Sequence, residues 1–275
     1  MKSKFYLIID FDSTLIKIET LECLAKIALD NSKNKNQIIK EINQMTDLAM
    51  SGKMSFNESI NNRLSLLNLK KEYISKIINQ ITENFDTTFL KNLEFLESYI
   101  DQIYIVSGGF REIIELSLKA ISNKKWNIFA NNFIFNDQKI IGIDNNNPLA
   151  KNHGKVELIK SLNLKGEKII IGDGYTDYEV KKYDQAKYFL CYNRHINRQI
   201  VANHADLICD DFEQVVNDFE DLNINSIDLN HPGNCSGYSI KSDNKKFCYL
   251  LDNEYEGIQE EKLINFCDQS ETIIW

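Results

Sequence analysis

The chain has 275 residues, enough at roughly 150 per domain for one or two domains with a full hydrophobic core and no need of disulfides or metal for size. With 43% hydrophobic and 26% charged residues it is not a disordered chain, and no apolar run approaches the roughly 20 residues of a membrane span. A net charge of −8 without a basic stripe argues against a nucleic-acid surface.

The opening MKSKFYLIIDFDSTL holds an apolar run too short for a signal-peptide core and ends in acid, so residues 4–10 read as a buried parallel strand of a cytoplasmic protein. From Leu21 to about Tyr99 apolar residues recur at helical spacing, as in Leu21, Leu24, Ala25 and Ala28 or Ile74, Ile77, Ile78 and Ile81, with no proline, and predict four or five helices. Alternation follows: a strand at 103–106, a helix from about Phe110 to Ile121, strands near 127–142, a helix at 154–162, a strand at 168–171, a helix at 176–183 and a strand at 188–191. This pattern predicts an α/β fold, a doubly wound parallel sheet of Rossmann-like type covered on both faces, with a helical bundle inserted after the first strand. The tail from about Leu222 reads as a β-hairpin around Ser242–Lys245, a helix at 260–267 and a terminal apolar TIIW. The expected organisation is a core of 1–15 and 86–221, a helical cap of 16–85, and a C-terminal appendage of 222–275. The six cysteines are scattered without a CxxC pair and read as reduced thiols, several of them buried.

Ligands of doubly wound sheets bind outside the carboxyl ends of the strands. Four segments at or near such ends carry polar chemistry: Asp10-Phe11-Asp12-Ser13-Thr14, Ser107-Gly108-Gly109-Phe110, Gly154-Lys155, and Gly172-Asp173-Gly174-Tyr175-Thr176-Asp177. Singly, each has a plainer reading: an acidic helix cap, a Gly-Gly turn, a lone lysine, an Asp-Gly turn or calcium-like loop. Together they put four carboxylates in one crevice, which calls for a divalent cation, and oxygen ligands without clustered His or Cys favour Mg²⁺ over zinc. Ser107 with the amides of Gly108 and Gly109, placed where a helix begins, suits an anion, and Lys155 adds a compact positive charge. Nucleophile, metal, anion cradle and cation together describe phosphoryl transfer through a carboxylate.

These four segments, in this order and with a helical insertion after the first, resemble the haloacid dehalogenase superfamily and its phosphoserine phosphatase branch over residues 4–220. The resemblance implies that Asp10 is the nucleophile, Asp12 the acid and base, and Lys155 the balancing charge. It implies Ser107 and Gly108 as phosphate binders, and Asp10, Asp12 through its carbonyl, Asp173 and Asp177 around Mg²⁺. Within the insertion, Glu19 corresponds to the carboxylate that holds a substrate amine. MTDLAMSGKMSFNESINNRLSLL (Met45–Leu67) is similar to the branch's cap signature, giving Met50 and Phe56 as an apolar wall and Arg63 as a carboxylate clamp. A zwitterionic ester needs this pairing of Glu and Arg. Thr20 follows Glu19 where many members have glycine. The implied activity is Mg²⁺-dependent hydrolysis of O-phosphoserine through an aspartyl-phosphate, in serine biosynthesis; a related small-molecule phosphatase or a phosphotransferase is the alternative. The implied partner is a small phosphate ester, with no nucleic acid, no membrane, and either a monomer or a homodimer.

In the tail, His231-Pro232-Gly233 and Leu251-Asp252-Asn253 resemble an interior stretch of metallo-β-lactamase-fold hydrolases, with Asp252 at a metal-bridging position. The four histidines (His153, His195, His204, His231) are unclustered, so no second metal site is expected, and the tail reads as an interaction module or as the remnant of a fusion. Arg194 and Arg198 read as part of a solvated loop and helix start, with a place near the site entrance as the alternative, and the charged residues of the cap helices as a solvated face.

Overall fold

β1 (Phe5–Ile9) is an apolar pentapeptide whose last four residues are buried, as a strand at the centre of a sheet covered on both faces requires. It pairs in parallel with β2 (Ile103–Phe110) on one side and β6 (Glu167–Gly172) on the other. β3 (Asn127–Asn131) extends the sheet beyond β2, and β7 (Tyr188–Tyr192) and β8 (Leu207–Cys209) extend it beyond β6, giving the all-parallel order β3-β2-β1-β6-β7-β8. The order reverses at β1, so the carboxyl ends of β1, β2 and β6 face one crevice. This computed structural model describes residues 5–221, 225–229, 235–242, 245–250, 260–268 and 270–274.

Between β1 and β2 lie α1 (Thr20–Ala28), α2 (Lys35–Met50), α3 (Phe56–Ser65), α4 (Lys71–Glu83), α5 (Thr87–Lys91) and α6 (Leu93–Ser98). Six helices stand where four or five were expected, because Asn92, at φ −99° and ψ 9°, both ends α5 and starts α6. α4 shows why periodicity found the rest: Ile74, Ile77 and Ile81 form one buried stripe. A small core of Ala25, Leu29 and Ile42 joins α1 to α2, with Leu66 and Leu67 packed against it. The chain enters and leaves α1–α4 side by side, through an antiparallel bridge of Ile16 with Phe85 and the bonds Lys17 N to Asn84 O (2.9 Å) and Asp86 N to Leu15 O (2.8 Å).

After β2, α7 (Arg111–Ile121) returns to β3, and β4 (Phe133–Asn136) with β5 (Lys139–Ile143) makes a separate antiparallel hairpin. α8 (Gly154–Ser161), α9 (Tyr175–Lys182) and the short α10 (Gln199–Ala202) complete the layers around the sheet. Ile8, Val106, Ile170, Phe189 and Cys191 from the strands bury against Val156, Ile159 and Val180 from the helices. Strand β8 and helix α10 were not foreseen, since three and four residues are too few to show a period.

The chain divides into two compact units, Met1–Glu213 and Gln214–Trp275, the division falling inside α11 (Phe212–Asp221). In the second unit β9 (Asn225–Leu229), β10 (Cys235–Ser242), β11 (Lys245–Tyr249) and β12 (Thr272–Ile274) form a sheet of order β12-β11-β10-β9. The expected hairpin is β10–β11, the terminal apolar stretch supplies β12, and β9 is additional. α12 (Glu260–Cys267) buries Leu263 with Leu250. His231, Pro232, Gly233 and Asp252, which carried the metallo-β-lactamase resemblance, lie outside the described residues. Cys23, Cys191, Cys209 and Cys248 are buried thiols in no disulfide. No helix among the described residues is long and apolar enough to cross a membrane.

Candidate active site

Asp10 leaves β1 while still tied to the sheet, its N–H donating to Ile171 O at 2.9 Å. Its Oδ1 accepts from Phe11 N at 2.7 Å, which fixes the carboxylate at the mouth of the crevice. The loop then turns sharply: Asp12 is extended (φ −65°, ψ 137°) and Ser13 left-handed (φ 55°, ψ 9°). A left-handed serine costs about 1 kcal/mol, a strain of the kind held at functional sites. Ser13 Oγ donates to Glu19 Oε1 at 2.7 Å, and both Asp12 carboxylate oxygens accept from Thr20, Oδ1 from its N–H and Oδ2 from its hydroxyl, each at 3.0 Å. Burial, with Glu19 and Asp10 adding nearby negative charge, holds the Asp12 carboxyl well above the usual carboxylate range.

Lys155, one residue into α8, is buried, and its Nζ lies 2.9 Å from Asp10 Oδ2 and 2.6 Å from Asp177 Oδ1. Burial works against the ammonium, but Asp10 and Asp177 outweigh it and hold the amine above its ordinary range. Asp177 also accepts from Gly174 N at 3.2 Å; burial pushes its carboxyl up to about 7 although Lys155 pulls the other way. Gly172 makes this packing possible, because a Cβ there would collide with the Asp177 carboxyl. Asp10, Asp173 and Asp177 offer oxygens that all lie within 4.8 Å of one another, and they are the single such group among the described residues. Asp12 is not in this group, and its carboxylate is turned to Thr20.

Ser107 and Gly108 close the crevice from β2. The strand runs on to Phe110 through an irregular register and the helix starts at Arg111, one residue from the expected Phe110; it is the cradle of two glycine amides that needs correction. The Gly109 amide is not a free donor, since it bonds Ser107 Oγ at 3.0 Å. On the far side the insertion supplies a wall. Glu19, Met50, Phe56, Ile60 and Arg63 line the same cavity as Asp10, Asp12, Ser107, Gly108, Lys155 and Asp173. The Phe56 ring lies so close that a Cβ on Gly108 would come within 2.7 Å of it. Arg63 is buried, donating from Nη1 to Thr46 Oγ1 at 2.9 Å and from Nε to Ser59 O at 3.3 Å; burial lowers its pKa, and Glu19 is the foremost of the carboxylates that oppose this. The cavity left among these groups is about 30 Å³, little more than room for water.

The sequence model of haloacid dehalogenase-like hydrolases matches residues 7–181. The chain belongs to this family. Among curated relatives, a phosphoserine phosphatase of Homo sapiens is 30% identical over 77% of this chain and 92% of its own length. One of Methanocaldococcus jannaschii is 31% identical over 69% of this chain and 87% of its own. Among solved structures, a phosphoserine phosphohydrolase-like protein of Francisella tularensis subsp. tularensis SCHU S4 superimposes with a TM-score of 0.69 at 32% identity, covering 76% of this chain and 97% of that one. A phospho-aspartyl intermediate analogue of phosphoserine phosphatase superimposes with a TM-score of 0.62 at 25% identity over 78% and 98%. Within the haloacid dehalogenase-like hydrolases the chain thus falls in the phosphoserine phosphatase branch, and it is a phosphoric monoester hydrolase.

Two residues at this hydrolase's site escaped the sequence reading. Arg198, taken for a solvated loop residue, is buried with its Nη1 on Asp173 Oδ2, and its Nη2 lies 3.8 Å from Asp47 on α2. Its position preceding α10 looks like surface until β7 folds it back over the crevice. Thr20, noted only for replacing glycine, holds Asp12. A side-chain donor at the start of the first inserted helix was the signal available for it.

Proposed function

We propose that this hydrolase cleaves O-phosphoserine to serine and phosphate, with Mg²⁺ as its metal and residues 16–85 as its specificity cap. The reading is carried by one observation: phosphoryl-transfer groups and a Glu–Arg pair suited to a zwitterion line a single small cavity. Glu19 would take the ammonium, Arg63 the carboxylate, and Met50 and Phe56 the short methylene between them and the phosphate. Ser107 and Gly108 would seat the phosphoryl oxygens, with Lys155 beside them. Asp10 Oδ then attacks phosphorus, the ester oxygen leaves with a proton from Asp12, and Asp12 next takes a proton from the water that hydrolyses the aspartyl-phosphate. The raised Asp12 carboxyl suits the acid half of that cycle, since burial beside Glu19 and Asp10 favours its protonated form.

The donor set fits a hard divalent ion. Three carboxylates, Asp10, Asp173 and Asp177, face two cations, Lys155 and Arg198, so the cluster keeps a formal excess of one negative charge (three less two). Asp10, Asp173 and the Asp12 carbonyl would hold the ion, with Asp177 behind Lys155. Such an ion supplies the positive charge that lets a phosphate dianion approach a carboxylate.

A phosphate-release panel of O-phospho-L-serine, O-phospho-L-threonine and glucose 6-phosphate, with Mg²⁺ and with a chelator, tests substrate and metal together. Phosphoserine should be the fastest substrate and chelation should abolish turnover; equal rates across the panel, or turnover in chelator, would refute the assignment. Arg63→Lys keeps the charge but loses the planar fork. It should raise KM for phosphoserine roughly 10- to 100-fold, the worth of one charged hydrogen bond, and leave KM for phosphoethanolamine, which lacks the carboxylate, within about threefold.

A further inference from the structure

The Thr20 hydroxyl is an unusual neighbour for a group that must give and take a proton. Thr20 is fully buried at the first position of α1, where helix amides lack intrahelical acceptors, and the preceding Glu19 makes no side-chain cap. Asp12 fills that need from eight residues upstream: the Thr20 amide donates to Oδ1 and the Thr20 hydroxyl to Oδ2. One residue therefore fixes the plane of the carboxyl as well as its position. On its other side Oδ2 faces the phosphate-binding loop so closely that a Cβ on Gly109 would stand 2.8 Å from it. Both oxygens thus accept one Thr20 donor each, and what the pair of bonds sets is the rotation of the carboxyl, which turns the second lone pair of Oδ2 toward that loop. Ser13 Oγ ties Glu19 to the loop that carries Asp12, and Glu19, the residue facing the substrate amine, directly precedes the residue that holds the acid.

We infer that Thr20 is a positioning residue for the reaction, whose hydroxyl selects Asp12 Oδ2 as the oxygen that protonates the leaving group. This rests on the phosphatase reading above. In the first step an Asp10 oxygen forms a bond to phosphorus while the bond from phosphorus to the serine oxygen breaks. The electron pair stays on the serine oxygen, which takes the proton from Asp12 Oδ2. A glycine at position 20 would keep the amide bond to Oδ1 and lose the hydroxyl, leaving the carboxyl free to rotate Oδ2 away from the loop.

The experiment compares first-turnover phosphorylation of the full chain, trapped by acid quench with ³²P-labelled phosphoserine or acetyl phosphate in the presence of Mg²⁺. Serine leaves as an alkoxide and needs a proton, whereas acetate leaves without one. Thr20→Val should slow labelling by phosphoserine about 10- to 100-fold, part of what a general acid contributes, and leave labelling by acetyl phosphate within about threefold. Thr20→Ser, which restores the hydroxyl, should recover the phosphoserine rate to within about threefold. Thr20→Gly supplies the same comparison should the valine variant misfold. An equal loss with both phosphate donors would mean that the site is merely distorted, and no loss with either would mean that the hydroxyl is idle; both overturn the inference. If the unaltered chain is labelled by acetyl phosphate but not by phosphoserine, the substrate reading falls instead. The alkyl ester fastest in the release panel then takes the place of phosphoserine and decides Thr20 by the same ratio.

Discussion

Asp10→Asn should release no measurable phosphate from phosphoserine, a fall on the order of 10⁴-fold or more, while the protein melts at the same temperature as the unaltered chain or higher. The two halves of this result have separate physical causes. An amide oxygen cannot attack phosphorus as a carboxylate does, and no other oxygen takes its place in the crevice, so the covalent route closes. The fold, however, does not need this charge. Asn keeps an acceptor for Phe11 N, Lys155 keeps Asp177 at 2.6 Å, and one charge is removed from a crowded set of carboxylates. Phosphate release and a thermal melt on the same preparation check both halves. Retained turnover would overturn the mechanism, and a large loss of stability would show that Asp10 is a structural member of the sheet edge.

The largest stability effect should come from a carboxylate that touches no substrate. Asp86 is fully buried where the chain returns from α1–α4 to the core. Its Oδ1 accepts from the Thr88 amide at 2.7 Å, the Thr88 hydroxyl at 2.5 Å and the Phe89 amide at 2.9 Å. Its Oδ2 lies 2.9 Å from His195 Nε2 and 3.2 Å from Arg194 Nε. Asp86→Ala removes a helix cap and one half of a buried ion pair, and should cost about 3–5 kcal/mol. Asp86→Asn keeps the cap and should cost roughly 1–2 kcal/mol less. Burial alone would raise the Asp86 carboxyl, but His195, Thr88 and the two amides overcome it and hold it below the ordinary carboxylate range. A depressed carboxylate stabilises fully above its unfolded pKa of about 3.9 and loses that stabilisation as pH falls through its lower folded value. The difference between unaltered chain and Asp86→Asn in urea melts should therefore shrink steadily as the pH falls below about 5. A difference that grew in acid would refute this account.

Asp86 also marks where sequence reasoning stops. Read along the chain it is an acid before a short helix; only the return of β7 and its following loop brings His195 and Arg194 onto it from more than a hundred residues away. The same loop carries Arg198 to Asp173, which is why a residue that looked solvated is buried at the site. By contrast the four polar segments were legible in the sequence, because each stands beside a short apolar run or a periodic helix that announces itself locally. Glycine scarcity sharpened them. Five of the eleven glycines (Gly108, Gly109, Gly154, Gly172, Gly174) fall in those segments. At Gly172 and Gly108 the packing of Asp177 and Phe56 shows what a side chain would obstruct.

The sequence by itself determined the α/β alternation, the helical insertion after β1, and the identity of the groups gathered at the strand ends, since these depend on periodicity and residue type within short windows. Tertiary structure decided which oxygen faces which donor. Asp12 is turned to Thr20 rather than to the acidic triad, Gly109 is spent on Ser107, and Lys155 is shared between Asp10 and Asp177. The reason is geometric. A hydrogen bond or ion pair is settled within a few tenths of an ångström and by direction, and that precision arises only when β1, β2, β6 and α1, distant in sequence, are packed against one another.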